Sequence, residues 1–313
     1  MNLLFLFMDG VGLGENNPQT NPFAAAHMPF LNDLLDGKRL LAQDAPFKNG
    51  RASLVSLDAC LGIPGLPQSA SGQAVLLTGK NVPEILGEHY GPKPNPQISE
   101  VLKAGTLFSW LQDRAKRVTF LNAFPRRYFD GIESGHRLPG AIAMAALQAG
   151  LDLKTEQDLM EGAAFSVDFT GQAWRDILGV PEAPVFTAEE AGRRIARLAQ
   201  TYDFSLFEYW PSDVAGHHQD LEGGVHQLEM IDRVLSGLLA EWDDSQGLIL
   251  ITSDHGNLED LNTRRHTSNP VPGLLIGDTE LRQQFLEELE DLTGIAPAIM
   301  KLLEAHPVDH LPL

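Results

Sequence analysis

Gly247-Leu248-Ile249-Leu250-Ile251-Thr252 is a short, unbroken apolar run that ends abruptly in Ser253-Asp254-His255-Gly256-Asn257. A run of that length without polar alternation suits a strand buried on both faces of a parallel sheet. Such a strand needs helices on both sides, so this segment restricts the chain to a layered α/β architecture. A carboxylate and an imidazole at its end would project into the crevice at the sheet's carboxyl edge, where open α/β sheets hold ligands. His266 follows soon after, in Arg265-His266-Thr267-Ser268-Asn269-Pro270-Val271-Pro272. Alone, an Asp-His pair reads as a capping aspartate beside a surface histidine.

Two other apolar runs repeat the pattern. Leu3-Leu4-Phe5-Leu6-Phe7-Met8 closes in Asp9-Gly10-Val11-Gly12, and Asp203 to Tyr209 leads into Trp210-Pro211-Ser212-Asp213-Val214-Ala215-Gly216-His217. Asp213 and His217 are four apart, so a helical first turn places them on one face, where they can bind one ion. Three separate strand-end acids, two with a histidine nearby, are poorly explained as unrelated caps. A hydroxyl completes the set. Leu66-Pro67-Gln68-Ser69-Ala70-Ser71-Gly72 reads as a loop turning into a short helix that ends at Gly79. Ser69 then sits at or next to the N-cap, where a metal can activate its hydroxyl and free N–H groups can hold a phosphoryl oxygen. Ser71 competes for the same role.

Together these segments resemble the alkaline phosphatase superfamily, and within it the cofactor-independent phosphoglycerate mutase branch. Met8 to Gly12 looks like that branch's opening Asp-Gly-x-Gly, and Asn21 to Leu34 is similar to its first helix. Asp254-His255-Gly256-Asn257 and His266 to Pro272 are the most specific matches, and Gly294 to Leu303 resembles the superfamily's closing helix. The resemblance spans about residues 1–80 and 203–304. It implies one divalent ion held by Asp213, His217 and His266, and a second held by Asp9, Ser69, Asp254 and His255. It also implies that Ser69 is the nucleophile; the donor set suits zinc or manganese.

Two departures bear on substrate. The family's mutases carry a large inserted phosphoglycerate-binding domain, whereas about 120 residues separate Lys80 from Asp203 here. Gln68-Ser69-Ala70-Ser71-Gly72 also stands where the mutases have Asn-Ser-Glu-Val-Gly-His. The expected activity is therefore two-metal phosphoryl transfer, by a phosphatase or phosphodiesterase working through phosphoserine. A phosphomutase on a small phosphorylated metabolite is the alternative, and a non-catalytic metal-binding protein on the same scaffold is a third. A dehydrogenase is unsupported, because Gly10-Val11-Gly12-Leu13-Gly14 lacks dinucleotide-loop spacing. A sulfatase is unsupported as well, because neither Cys60 nor Ser69 lies in a Cys/Ser-x-Pro-x-Arg context.

Alternating patterns predict strands at 2–8, 117–123, 203–209, 246–252 and 273–277. Helices are predicted at 22–36, 70–79, 98–115, 187–201, 224–242, 279–291 and 295–304. The expected fold is α/β, a mostly parallel central sheet with helices on both faces. Residues 1–124 and 186–313 would form its metal-binding core. The Gly/Pro-rich 125–185 would form a small cap or elaborated crossover. Arg126 and Arg127 follow a strand and are candidate substrate-binding cations, as is His218; Lys80, His89 and His136 are weaker ones.

The 313 residues, 43% hydrophobic, can bury a sizeable core, and the formal net charge of −19 disfavours nucleic acid or an anionic membrane as partner. A small phosphorylated substrate is the expected partner, and the oligomeric state is not legible. The single cysteine, Cys60, reads as a core residue and excludes an internal disulfide. No segment is long enough to span a bilayer, and the apolar opening lacks the basic flank of a signal peptide, so a cytoplasmic location is expected.

Overall fold

In the computed structural model of the chain, residues 1–287 and 289–306 are described. Among the described residues there are seven strands: β1 (Asn2–Met8), β2 (Phe47–Lys48), β3 (Ala52–Leu57), β4 (Val118–Phe120), β5 (Phe204–Tyr209), β6 (Gly247–Thr252) and β7 (Val271–Gly277). They form one sheet in the order β2-β3-β7-β6-β1-β5-β4. β6, β1, β5 and β4 pair in parallel, whereas β7, β3 and β2 are joined by antiparallel pairing.

The parallel half follows from its sequence. Along β1, Leu4, Leu6 and Met8 face one apolar cluster, while Leu3, Phe5 and Phe7 face another on the opposite side. Two-sided burial is what an unbroken apolar strand requires. The antiparallel half was only partly foreseen. β7 was expected, but β2 and β3 were not, because Arg51-Ala52-Ser53-Leu54-Val55-Ser56-Leu57 mixes polar and apolar residues at a sheet flank. Antiparallel pairing there has a positional consequence. β3 ends and β7 begins at the same edge at which β1, β5 and β6 end, with Leu57 opposite Val271. The segments that carry Asp9, Ser69, Asp213, Asp254 and His266 therefore open on one edge.

Two predicted helices are each broken in two. Residues 22–36 split into Pro22–Ala25 and Pro29–Leu34 because Met28, preceding a proline, takes a non-helical conformation. The 98–115 segment splits into Pro96–Lys103 and Leu107–Gln112, with Gly105 at φ 142° between them. Within 125–185 there are four short helices, Arg126–Glu133, Ala141–Gln148, Glu156–Met160 and Gln172–Asp176. Ala141 to Ala146 join the main core, whereas Leu159, Trp174 and Ala183 form a small apolar cluster of their own. Cys60, expected in the core, is only partly buried.

The longest helix, Leu221–Glu241, lies against Ala188–Ala199 in one of the main apolar clusters. Their contact is as close as backbone allows. A Cβ at Gly192 would run into the carbonyl oxygen of Val234, and one at Gly237 into that of Glu189. Gly192→Ala or Gly237→Ala should therefore destabilise the protein by about 1–3 kcal/mol through overpacking, read as a lowered urea midpoint at unchanged m.

Candidate metal centre

Asp9 sits directly after β1, 7% exposed, and the chain turns away from it through Gly10 at φ 68°. A side chain at Gly10 would be strained by that φ and would strike Asp213. Ser253, directly after β6, accepts a hydrogen bond from the Val11 amide (3.0 Å) and donates one to the His255 carbonyl (2.9 Å). That bond fixes the Asp254-His255 turn against the end of β1. Asp254 and His255 are completely buried. After β5 the chain enters the helix Pro211–His218, with proline in its first turn. Ser212 Oγ donates to the Asp9 carbonyl at 2.6 Å, tying that helix to β1 as well.

The helix Ser69–Thr78 runs with residues 69–77 all buried. Ser69 is its first residue, with Gln68 as the extended N-cap. Its Oγ lies 3.0 Å from His255 Nε2. Ser71 is engaged differently, since its hydroxyl donates to the Gln68 carbonyl and accepts from the Tyr90 amide. It anchors the loop instead.

The seven residues singled out from sequence converge as two adjoining groups. In the first, His217 Nε2 lies 3.2 Å from Asp213 Oδ2, and His266 Nε2 lies 3.2 Å from His217 Nε2 and 3.7 Å from Asp213 Oδ1. In the second, His255 Nε2 faces Asp9 Oδ1 at 3.3 Å and Asp254 Oδ2 at 3.6 Å. Asp213, His217 and His266 satisfy the geometry of a cation site, and so do Asp9, Asp213 and His255; Asp213 belongs to both. The His255 and His266 rings stack at 3.7 Å and 13°.

The chemistry of these atoms fits a divalent cation. His217 Nδ1 meets the Arg264 carbonyl and His266 Nδ1 the Pro67 carbonyl, both at 2.7 Å. A carbonyl only accepts, so in the neutral imidazoles each Nδ1 carries the proton and each Nε2 a lone pair. Two such lone pairs 3.2 Å apart repel unless a cation lies between them and the Asp213 carboxylate. Asp9 Oδ1 and Asp254 Oδ2 are buried and receive no hydrogen bond among the described residues. Burial, and then the neighbouring carboxylates, push the Asp9 and Asp254 acids well above the ordinary range. Burial, and then its neighbouring histidines, hold His255 well below its usual value; burial first also lowers His266. All of these groups are short of positive charge.

Side chains that the motif reading did not single out support this arrangement. Asn257 Nδ2 donates to Asp213 Oδ1 at 2.7 Å, and Gln73 Nε2 to Asp9 Oδ2 at 3.4 Å. Glu259, 2% exposed, accepts from the amides of Gly12 and Asn257, from Thr267 Oγ1 and from Asn269 Nδ2. Gln73 could have been found, since it lies one helical turn after Ser69. Glu259 carried no signal beyond its place between two motifs.

A cavity of about 510 Å³ opens beside Asp9, Ser69 and Asp213. Arg127 lines it, together with Lys93, Arg137 and Glu208, whose acid is pushed up to about 7 by burial. Five candidates belong elsewhere. Arg126 is exposed and pairs with Asp130 at 2.9 Å, because helix spacing places that acid one turn on. His218 lies exposed at the end of its helix and outside both groups. Lys80 follows the far end of the Ser69 helix, while His89 contacts the Ile63 carbonyl and His136 is exposed.

Residues 157–307 match the Metalloenzyme superfamily. The chain is 31% identical over 110 residues to 2,3-bisphosphoglycerate-independent phosphoglycerate mutase of Antithamnion sp., covering 33% of this chain and 22% of that protein. It is 30% identical over 132 residues to the protein of that name from Rhodopseudomonas palustris, covering 39% and 25%. The chain thus matches only about a quarter of the length of these relatives. In fold it is similar to alkaline phosphatase from the Antarctic bacterium TAB5, with a TM-score of 0.53, 13% identity and 97% of each chain covered. It is similar also to the PH0037 protein from Pyrococcus horikoshii, with a TM-score of 0.56, 15% identity and 99% and 98% covered. The C-terminal half of the chain thus matches the Metalloenzyme superfamily in sequence, and nearly its whole length is similar in fold to an alkaline phosphatase.

Proposed function

We propose that the chain is a two-metal phosphoryl-transfer enzyme, a cytoplasmic phosphatase or phosphodiesterase that works through a phosphoserine at Ser69. The observation that carries this reading is Ser69 Oγ at the cavity wall, 3.0 Å from His255 Nε2 and beside two cation-fitting groups that share Asp213. Asp213, His217 and His266 would hold one ion, and Asp9, Asp254, His255 and Ser69 the other. Zinc or manganese bound there would supply Lewis acidity that polarises phosphoryl oxygens and acidifies a hydroxyl.

The protein's own groups account for the rest. The first turn of the Ser69 helix presents the positive end of its dipole to a phosphoryl group. Ser69 Oγ attacks phosphorus in line, forming its P–O bond as the ester P–O bond breaks. The serine's proton goes to the departing alkoxide. Water then cleaves the phosphoserine, releasing phosphate and restoring the hydroxyl. His266 and His217 are oriented by their carbonyl contacts, and Asn257 fixes the Asp213 carboxylate, so little reorganisation is needed.

Residues 125–185 act as the cap in this reading, since Pro125, Arg127, Tyr128, Arg137, Trp174 and Ile177 line the cavity from that segment. Such a cover is also what a phosphomutase needs, to keep water from the phosphoserine while a second hydroxyl attacks. We favour hydrolysis, because the segment is short for a closing domain. Release of inorganic phosphate from small esters distinguishes the two: intramolecular migration without release would establish the mutase.

Three outcomes test the assignment. Ser69→Ala should lower turnover by about a thousandfold or more with the circular dichroism and bound metal retained; Ser71→Ala, by contrast, should act through stability. His217→Ala should lose part of the metal measured by elemental analysis, whereas Asp213→Ala, shared by both groups, should lose more. The third outcome concerns pH. Folded Asp9 and Asp254 hold protons above the unfolded value of 3.8. Folded protein then binds more protons than unfolded, so the chelated protein should lose stability as pH rises above about 4. The melting increment from added manganese or zinc should accordingly grow between pH 5 and pH 8, and a pH-independent increment would contradict the ligand assignment.

A further inference from the structure

Away from Asp9, Ser69 and Asp213, the cavity wall is built from Phe124, Tyr128, Trp174, Ile177, Leu178 and Trp210. Two of the chain's four tryptophans are therefore gathered in one cavity. Trp174 is 2% exposed and is fixed in the small cluster with Leu159 and Ala183. Phe124 and Tyr128 hold each other at 4.4 Å between ring centroids. Trp210 and Ile177 differ from these: they remain 45% and 73% exposed. Large apolar side chains left open at the edge of a cavity mark a surface that a ligand covers.

Charge around the cavity points the same way. Lys93, Arg127 and Arg137 line it and are exposed. Arg126 one position away has an acid partner, but these three have no carboxylate within 4.0 Å among the described residues. In a chain of net charge −19, three cations gathered without ion-pair partners attract an anion. A glycerate-sized phosphate would leave most of the 510 Å³ and its aromatic wall in water.

Resting on the phosphoryl-transfer reading above, we propose that this wall is a ring-binding subsite. The substrates are then phosphate monoesters with a flat aromatic or heteroaromatic group, of the aryl or nucleoside type. The phosphoryl group lies at Ser69, the ring lies against Trp174 and Trp210, and Ile177 closes over its edge. The three cations draw the dianion in.

The test uses binding, so that leaving-group reactivity plays no part. Full-length protein loaded with manganese is titrated with 1-naphthylmethylphosphonate and with methylphosphonate, by calorimetry and by quenching of tryptophan fluorescence. The naphthyl ligand should bind about tenfold more tightly or better. Trp210→Ala and Ile177→Ala should each cut that preference by about threefold or more, chiefly by weakening the naphthyl ligand. Ile177 is so exposed that its replacement leaves folding intact if Trp210→Ala does not. Affinities equal within about twofold, or a preference untouched by both variants, would overturn the inference. Phosphate release from glycerol phosphate and naphthyl phosphate, measured on the same protein, separates the two readings. Release with no ring preference in binding defeats the subsite alone. Absence of both release and phosphonate binding defeats the phosphoryl-transfer reading and the subsite with it.

Discussion

Positive charge is missing from the centre of this molecule, and the rest of the architecture is arranged around that lack. Asp9, Asp213 and Asp254 approach one another at the end of the sheet, with three histidine Nε2 atoms directed among them. Buried carboxylates in such numbers are costly unless a cation compensates them. No lysine or arginine lies within ion-pair distance of these three acids among the described residues. The apolar strands deliver the acids to the edge, and a divalent cation is the kind of species whose binding would compensate them.

Such a cluster must be held against its own repulsion. The holding is done by neutral donors and by one acid removed from the cluster. Ser212, Ser253 and Asn257 bridge neighbouring strand ends by hydrogen bonds of 2.6–3.0 Å. Glu259 takes bonds from three separate stretches of chain, the loop after β1, the loop after β6 and the approach to β7. Its charge is spread over backbone and side-chain donors, so it acts as a fastener rather than as a further claimant on a cation.

The parallel half of the sheet and the acids Asp9, Asp213 and Asp254 were legible because each acid follows closely on an apolar strand. Period and punctuation supply that signal directly. Three things were not legible. β2 and β3 lie at the flank of the sheet, where a buried Ser53 bonded to Arg282 and an exposed Ser56 leave only a mixed pattern, Ser53-Leu54-Val55-Ser56. The short helices of 125–185 owe their existence to tertiary contacts, since five to eight residues cannot sustain a helix alone. The cavity cations were half found. Arg126 and Arg127 look alike in sequence, and only the presence of Asp130 one turn on decides that the first is engaged elsewhere.

Pro67 gives one short segment two duties. Its carbonyl fixes the His266 ring, and two residues later the same chain delivers the Ser69 hydroxyl. The donor that helps define a cation position and the oxygen beside it therefore share a mechanical mount, and cannot drift independently. A disturbance of the loop 58–68, which contains none of the seven converging residues, would tilt the imidazole and displace the hydroxyl together. Geometry at this edge is thus inherited from a proline-rich turn, and the fidelity of the centre is set by the stiffness of that turn as much as by its charged residues.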